Sequence, residues 1–278
     1  MLRTRRARAA GGLGSLRVRA GRTPIAAATL MILGLAAPSG AEKATLVFSA
    51  PVDTLHYTLE MGREANLGGI TVSTMEKGKV HITPLEKGDD KTRVAIHFAD
   101  FEASMKRGEE LVEQKSQLNG VTVEAQVSRR GEVLAVTPRG AAPPGGIEQI
   151  QTLADHFFPY FPDTPVESGA TWVRKRLVPN TADPTAKPRL DGSTEFTLDE
   201  LKKKEGVQVA SILAKSTAKA NLPMPQGDFE GKVTGEAKLL VAVQGGHLLE
   251  SKSSAEFVGT TAGNDLSWVQ TTRMKRVK

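Results

Sequence analysis

The sequence contains no cysteine. This absence excludes a disulfide framework, thiol catalysis, a cysteine-ligated metal and a lipid-modified cysteine behind an N-terminal leader. Aromatic residues are also scarce, at 5% of the chain. The length is nevertheless sufficient for one large domain or two small ones that are stabilised by burial alone.

The familiar catalytic signatures are missing as well. The sequence has no Gly-x-Ser-x-Gly elbow, no phosphate-binding glycine loop, no His-Glu-x-x-His pair and no calcium loop. The five histidines are isolated in sequence and lack a second ligand at a metal-like spacing. A long-range site assembled from His56, His81 and His97 on neighbouring strands stays an open alternative. We therefore predict a non-enzymatic protein with no catalytic residue, no metal and no cofactor.

The first 41 residues have the features of a cleavable signal peptide. Arginines precede an apolar run at residues 25–37, and the leader contains no acidic residue. The run is shorter than the roughly 20 residues that span a bilayer, and the small residues 38–41 follow it. We predict cleavage after Ala41, with cleavage after Gly40 as the alternative, and a periplasmic or secreted location. The pair Arg5-Arg6 leaves a twin-arginine export route open.

The positive charge of the chain resides in this leader. Residues 1–41 hold seven of the 37 Lys and Arg and none of the 31 Asp and Glu. Residues 42–278 therefore carry 30 basic and 31 acidic side chains, a net charge of −1. Since phosphate neutralisation requires clustered excess Lys and Arg, we predict no nucleic-acid partner. No membrane span is expected after the leader.

Alternating apolar and polar residues dominate residues 42–278. The alternation, as in Val121, Val123, Ala125 and Val127, predicts strands with one buried face, and short glycine turns join them as antiparallel neighbours. We predict a mainly β fold, a long antiparallel meander curled into a half-barrel or open barrel. Its two sheet halves, 42–142 and 165–278, form one domain, and whether they share one continuous sheet is left open. Residues 179–192, which contain three prolines, are predicted to form an exposed loop.

One amphipathic helix is predicted at residues 147–158, between the two halves. Its apolar side chains fall on one face, and Pro159 would end it. We predict that the helix lies across the apolar face of the sheet, as a core plug or as a lid. The residues expected to form the apolar cleft or core are Ile147, Ile150, Leu153, Phe157, Phe158, Phe161 and Trp172.

Residues 161–172 read Phe-Pro-Asp-Thr-Pro-Val-Glu-Ser-Gly-Ala-Thr-Trp. This stretch resembles the Pro-x-x-Pro-Val-x-x-Gly-x-x-Trp segment of secreted bacterial β-rich proteins of unknown function, and the hairpin 127–134 and the Lys-rich last strand share the resemblance. It implies a long antiparallel sheet. In outline, a curled sheet crossed by a helix is also similar to periplasmic lipoprotein carriers of the LolA type, which hold acyl chains in an apolar concavity. The single clear helix departs from that pattern, because a carrier's lid uses more.

Three functions are open at this point. The first is an exported envelope protein whose curled sheet binds an apolar ligand, such as a lipid, or an envelope protein partner. The second is a structural or assembly component that acts through strand-edge or surface contacts. The third is an unrecognised hydrolase.

Overall fold

The computed structural model describes residues 42–67, 70–140, 147–178, 187–222, 224 and 227–277, and the predicted leader lies outside these residues. The described chain is mainly β, as predicted from the alternation. Its elements are β1 (Leu55–Leu67), β2 (Ile70–Lys87), β3 (Lys91–Arg107), β4 (Glu110–Lys115), β5 (Thr122–Ser128), β6 (Val133–Pro138), α1 (Ile147–Ala154), β7 (Thr171–Val178), β8 (Leu190–Lys204), β9 (Val207–Leu222), β10 (Phe229–Ala242), a 3-10 turn (Gln244–Gly246), β11 (Leu248–Thr261) and β12 (Asn264–Val277).

The twelve strands of the described residues belong to one antiparallel sheet. The strand order is β6-β5-β3-β2-β1-β12-β11-β10-β9-β8-β7, and β4 pairs with the far end of β3. Pairing of β1 with β12 joins the two sheet halves, so they share one continuous sheet. Within the described residues, β6 and β7 stay apart at opposite edges of the sheet. The sheet is therefore open, as the predicted half-barrel or open barrel requires.

One face of the sheet is buried and the other is exposed. In β1 the side chains of Leu55, Tyr57 and Leu59 are buried, and the residues between them are exposed. The hydroxyl of Tyr57 donates to the carbonyl oxygen of Leu248 at 3.0 Å, and burial raises the pKa of Tyr57 above its usual value. We call the face that carries these side chains the concave face, and the opposite face the convex face.

Helix α1 is shorter than the predicted 147–158, because it ends at Ala154. After Ala154 the hydrogen bonds tighten: the amides of His156 and Phe157 donate to the carbonyl oxygens three residues earlier. This tighter turn brings Phe157 and Phe158 onto the sheet, where both are buried. The helix therefore ends four residues before Phe158, the last helical residue predicted from the position of Pro159.

The predicted loop 179–192 is also shorter at its C-terminal end. Leu190 and Gly192 belong to β8, where they pair with Ala220 and Ala218 of β9. Residues 179–186 lie outside the described residues. The three prolines of the segment obscured the beginning of β8 in the sequence.

A segment that the sequence did not single out, residues 44–49, lies across the end of the sheet. Its side chains alternate, and Ala44, Leu46 and Phe48 are buried. The amide of Phe48 donates to the carbonyl oxygen of Arg129 at 2.7 Å, and the amide of Ser49 donates to that of Gly245 at 3.1 Å. The segment thus connects the β5–β6 turn with the β10–β11 turn and covers part of the concave face.

Candidate functional site

The aromatic residues after α1 form a plug on the concave face, defined here as residues 157–161. Phe157, Phe158 and Phe161 are at most 2% exposed. Phe157 contacts the ring of Tyr57 at a centroid distance of 5.8 Å, and Phe158 contacts Phe48 at 5.2 Å. Ile150 and Leu153 of α1 are buried in the same core, whereas the side chain of Ile147 lies outside the described part.

Hydrogen bonds fix the C-terminal end of the plug. The amide of Phe161 donates to the carbonyl oxygen of Arg130 at 2.8 Å, and Nε of Arg130 donates back to the carbonyl oxygen of Phe161 at 3.0 Å. Nε1 of Trp172 donates to the carbonyl oxygen of Tyr160 at 2.8 Å, and the indole stacks on Phe196. Gly169, at φ +88°, turns the chain just before Trp172. The predicted aromatic residues therefore act as a fixed core element in this structure.

Beside the plug, the concave face changes from large to small residues. Cross-strand pairing aligns one row of residues across the sheet, from β7 to β1. The members of the row on strands β8 to β12 are half-buried. The row is Arg174, Thr194, Ser216, Gly235, Ala255, Gln270 and Arg63. Between its two arginines it contains hydroxyl, methyl, amide and glycine positions and no large apolar side chain.

Large apolar side chains bound this row on both sides. On the side of the plug lie Phe196 and Leu239, and on the other side lie Leu190 and Phe257. We call the resulting depression the groove. It has a volume of about 280 Å³ and extends from the polar side of α1, at Thr152, across strands β7 to β12. Five strand spacings correspond to roughly 24 Å along the sheet.

Beyond the groove a second, smaller apolar cluster closes this part of the sheet. Its buried members are Ala220, Phe229, Leu266 and Trp268. Phe257 stacks on Trp268 at a centroid distance of 4.4 Å. The groove therefore lies between two packed regions of the same face.

Charged side chains stand at the β7 end of the groove. The Asp155 carboxylate accepts from Nη2 of Arg174 at 3.4 Å and from Nη2 of Arg176 at 2.7 Å. These side chains are largely sheltered, with exposed fractions of 12% for Asp155, 15% for Arg174 and 30% for Arg176. The guanidinium of Arg174 also lies 5.4 Å from the ring centroid of Tyr160. This end of the groove thus has two cations and one anion in a partly desolvated place.

His156 follows Asp155 and lines the same end of the groove. Burial lowers its pKa, and the neighbouring Arg176 lowers it further, although the Asp155 carboxylate acts in the opposite direction. His156 is therefore neutral at neutral pH. The sequence suggested no role for Asp155 and His156 beyond the polar side of the helix.

The structure does bring His56, His81 and His97 together, on the convex face. Nδ1 of His56 lies 2.7 Å from Nδ1 of His81, and the rings of His81 and His97 stack at 6.1 Å. Nδ1 of His97 forms a hydrogen bond with the Thr122 hydroxyl at 2.8 Å. Among the described residues, these rings and the other His, Asp and Glu side chains form no group of three that could hold a metal ion.

No protein-family model and no curated protein matches the sequence. Among solved structures, the chain is similar to lipovitellin, in a structure that describes lipid–protein interactions in that protein. The TM-score is 0.52 at 8% sequence identity, over 81% of this chain and 25% of the lipovitellin chain. This chain therefore spans about a quarter of the length of that protein, and the likeness shows a shared β-rich fold. In the part of this chain that the structure describes, no helix has the length and apolar character to cross a membrane.

Proposed function

We propose that this chain is an exported, non-enzymatic protein that binds an elongated apolar ligand, a lipid acyl chain, in the groove. The observation that carries the proposal is the change in side-chain size on the concave face. A sheet face that serves as core alone is filled to crystal-like density. Here the strands that supply Ile212 and Leu198 to the core supply Ser216 and Thr194 to the groove, and the space above them is left unfilled.

The size of the groove favours one narrow ligand. Ligand pockets usually measure about 300 to 1,000 Å³, and the groove, at about 280 Å³, lies at the lower limit. It is nevertheless long, at roughly 24 Å along the sheet. A single acyl chain matches this shape better than a compact drug-like molecule does. The similarity to a lipid-binding protein, lipovitellin, supports the same ligand class.

The plug supports a groove with a fixed wall rather than a lid. Phe161 is fully buried and is bound to the β5–β6 turn by two hydrogen bonds. Opening the plug would expose these aromatic rings to water at a high cost. We therefore propose that the ligand enters along the groove itself. The leader predicted at residues 1–41 supports a periplasmic or secreted location for this binding.

Groove blocking tests the proposal. In Ala255→Phe, a ring is added at the centre of the groove, opposite Gly235. In the matched control Thr234→Phe, the same ring is added to the exposed convex face of β10. We expect Ala255→Phe to weaken binding of a fluorescent C18 fatty acid at least tenfold and the control to bind as the wild type does. Mass spectrometry of protein purified from its native host should detect acyl lipid in the wild type and the control.

The opposite result is clear-cut. The proposal would be contradicted if the purified protein carries no lipid and the wild type, Ala255→Phe and Thr234→Phe all bind the fatty acid equally well. It would also be contradicted if the purified protein carries no lipid and none of the three binds the fatty acid. Melting curves of the three proteins distinguish a blocked groove from a misfolded sheet, because a blocked groove leaves the unfolding transition in place.

A second candidate, assembly through a strand edge, has one observation in its favour. Strand β7 lies at the sheet edge, and its convex side chains Val173 and Leu177 are 53% and 65% exposed. Exposed apolar residues on an edge strand favour pairing with another chain. Crosslinking in cells from a photoreactive residue at position 173 should then give one dominant protein adduct, and a lipid-binding protein should give none.

A further inference from the structure

We infer that the groove binds its ligand in one orientation, in which Arg174 and Arg176 bind the anionic head group of the acyl ligand, a carboxylate or a phosphate. This inference rests on the proposed function above, because it assigns the end of the groove at which a bound amphiphile places its charge. It also names the ligand class more closely: an anionic single-chain amphiphile.

The first support is the charge at the β7 end of the groove. Among the described residues, Arg174 and Arg176 share the carboxylate of Asp155, so one positive charge is left over there. Among the other described residues that line the groove, the acidic one is Glu236, whose side chain is exposed on the convex face. An anion that enters the groove therefore encounters a net positive charge at this end, in a place where burial strengthens electrostatic attraction.

The second support is an unused donor. Nε of Arg174 is buried and has no hydrogen-bond partner among the described residues. A buried donor without a partner costs free energy, and a charged oxygen is the acceptor that compensates it best. The hydroxyl groups of Thr194 and Ser216 lie next along the same row, 3.1 Å apart. They provide a further donor for the second oxygen of a carboxylate or phosphate.

The opposite end of the groove is less suited to bind an anion. Arg63 also terminates the row, but its guanidinium lies over the Trp268 ring, 4.6 Å from the centroid. Arg63 is an exposed residue, unlike Arg174 and Arg176, although partial burial against the sheet lowers the pKa of its guanidinium. An ion pair at an exposed site contributes little to affinity, because water and salt screen it. The sheltered pair on β7 is therefore the better head-group site.

The test compares ligands that share one chain and differ in charge. Palmitic acid, lyso-phosphatidic acid with a palmitoyl chain, and methyl palmitate are titrated against the full protein by calorimetry. We expect the wild type to bind at least one of the two anions roughly tenfold or more tightly than the ester, which corresponds to one charge-assisted hydrogen bond. The stronger of the two anions identifies the head group as a carboxylate or a phosphate.

Variants assign the effect to the β7 end. Arg174→Gln and Arg176→Gln should lose the preference for the anion and keep the affinity for methyl palmitate, and Arg174→Lys should restore part of the preference. Arg63→Gln and the convex-face control Arg273→Gln should behave as the wild type does. Binding of the ester by the glutamine variants also shows that they fold.

Each other outcome contradicts the inference in a recognisable way. Equal wild-type affinities for acid, phosphate and ester would overturn the head-group site and leave the proposed function standing. A preference that Arg63→Gln abolishes, while Arg174→Gln retains it, would reverse the direction of the ligand. Absence of binding for all three ligands would overturn the proposed function and this inference with it.

Discussion

The concave face has two regions that are built from the same strands and differ in what covers them. In the main core, Ile212 of β9 is fully buried beneath covering elements, and four residues further along the strand Ser216 is half-buried in the groove. The period-two alternation is the same in both regions. Side-chain size, rather than strand pattern, therefore separates the packed region from the region that is left open.

The elements that cover the core extend over only part of the concave face. Residues 44–49, helix α1 and the plug all lie over the large side chains. Thr152 of α1 and Asp155, in the turn that follows the helix, present polar groups to the groove. A cover designed to seal the whole face would present apolar side chains there, since a buried charge is costly. The groove is therefore a built feature of the sheet, and the following substitutions test it.

Truncation of the plug should have the largest effect on stability. In Phe161→Ala a fully buried ring is removed, and we expect the free energy of unfolding to fall by about 3–5 kcal/mol in urea denaturation. The control Val173→Ala, at a 53% exposed position, should change it by less than about 0.5 kcal/mol. A loss below about 1 kcal/mol for Phe161→Ala would mean that the plug is not part of the stable core.

Substitution at the contact between the plug and the β5–β6 turn should give the next largest loss of stability. Gly131 has φ +78°, and a Cβ atom there would collide with the carbonyl oxygen of Pro159. We expect Gly131→Ala to cost about 3 kcal/mol, from the left-handed backbone and the collision together.

Gly206 provides the matched control for that collision. It has φ +81° and no atom within 4 Å of an added Cβ, so Gly206→Ala should cost only about 1–2 kcal/mol. Equal losses in chemical denaturation of the two variants would show that the plug does not press against the turn.

One substitution made in both regions compares them directly. Ala210 is fully buried in the main core, and Ala255 is half-buried in the groove. We expect Ala210→Leu to destabilise by about 1–3 kcal/mol through overpacking. Ala255→Leu should change stability by less than about 0.5 kcal/mol, because its side chain enters unfilled space. Equal urea midpoints for the two variants would show that the groove is packed like the core.

The strands and the open, curled sheet could be predicted from the sequence, because period-two alternation and glycine turns are local signals. Burial of Phe157, Phe158 and Phe161 followed from their place beside an apolar helix face. The end of α1 at Ala154 could not be predicted, because the tighter turn after it depends on tertiary packing of the aromatic rings.

The groove was also beyond sequence reasoning. Gly235, Ala255 and Ser216 are remote in sequence and meet through the register of three strands. A local signal did exist, since Ala214, Ser216, Ala218 and Ala220 make one face of β9 uniformly small. The cover at residues 44–49 had a similar signal in the alternation of Ala44, Leu46 and Phe48, next to the predicted cleavage site.

The pH dependence of stability should give the smallest effect, and it compares a histidine in each region. His247 lies against residues 44–49, which cover part of the core, and its Nε2–H donates to the carbonyl oxygen of Ser49 at 2.9 Å. His156 lines the groove. Burial lowers the pKa of both rings, and it outweighs the hydrogen bond to Ser49 at His247 and the Asp155 carboxylate at His156, which act in the opposite direction. Arg276 near His247 and Arg176 near His156 also lower the pKa.

Because both folded-state pKa values lie below the unfolded value of about 6.5, the unfolded chain takes up protons first as the pH falls. Stability should therefore be fully present above about pH 6.5 and decline below it. His247→Gln should lower the urea midpoint already at about pH 7.5, because it alters the contact with Ser49, and should reduce the decline between about pH 7.5 and 5.5. His156→Gln should reduce the decline with a smaller loss at about pH 7.5, since its ring faces the groove. An unchanged decline in both variants would contradict the assignment of the pH effect to these two partly buried rings.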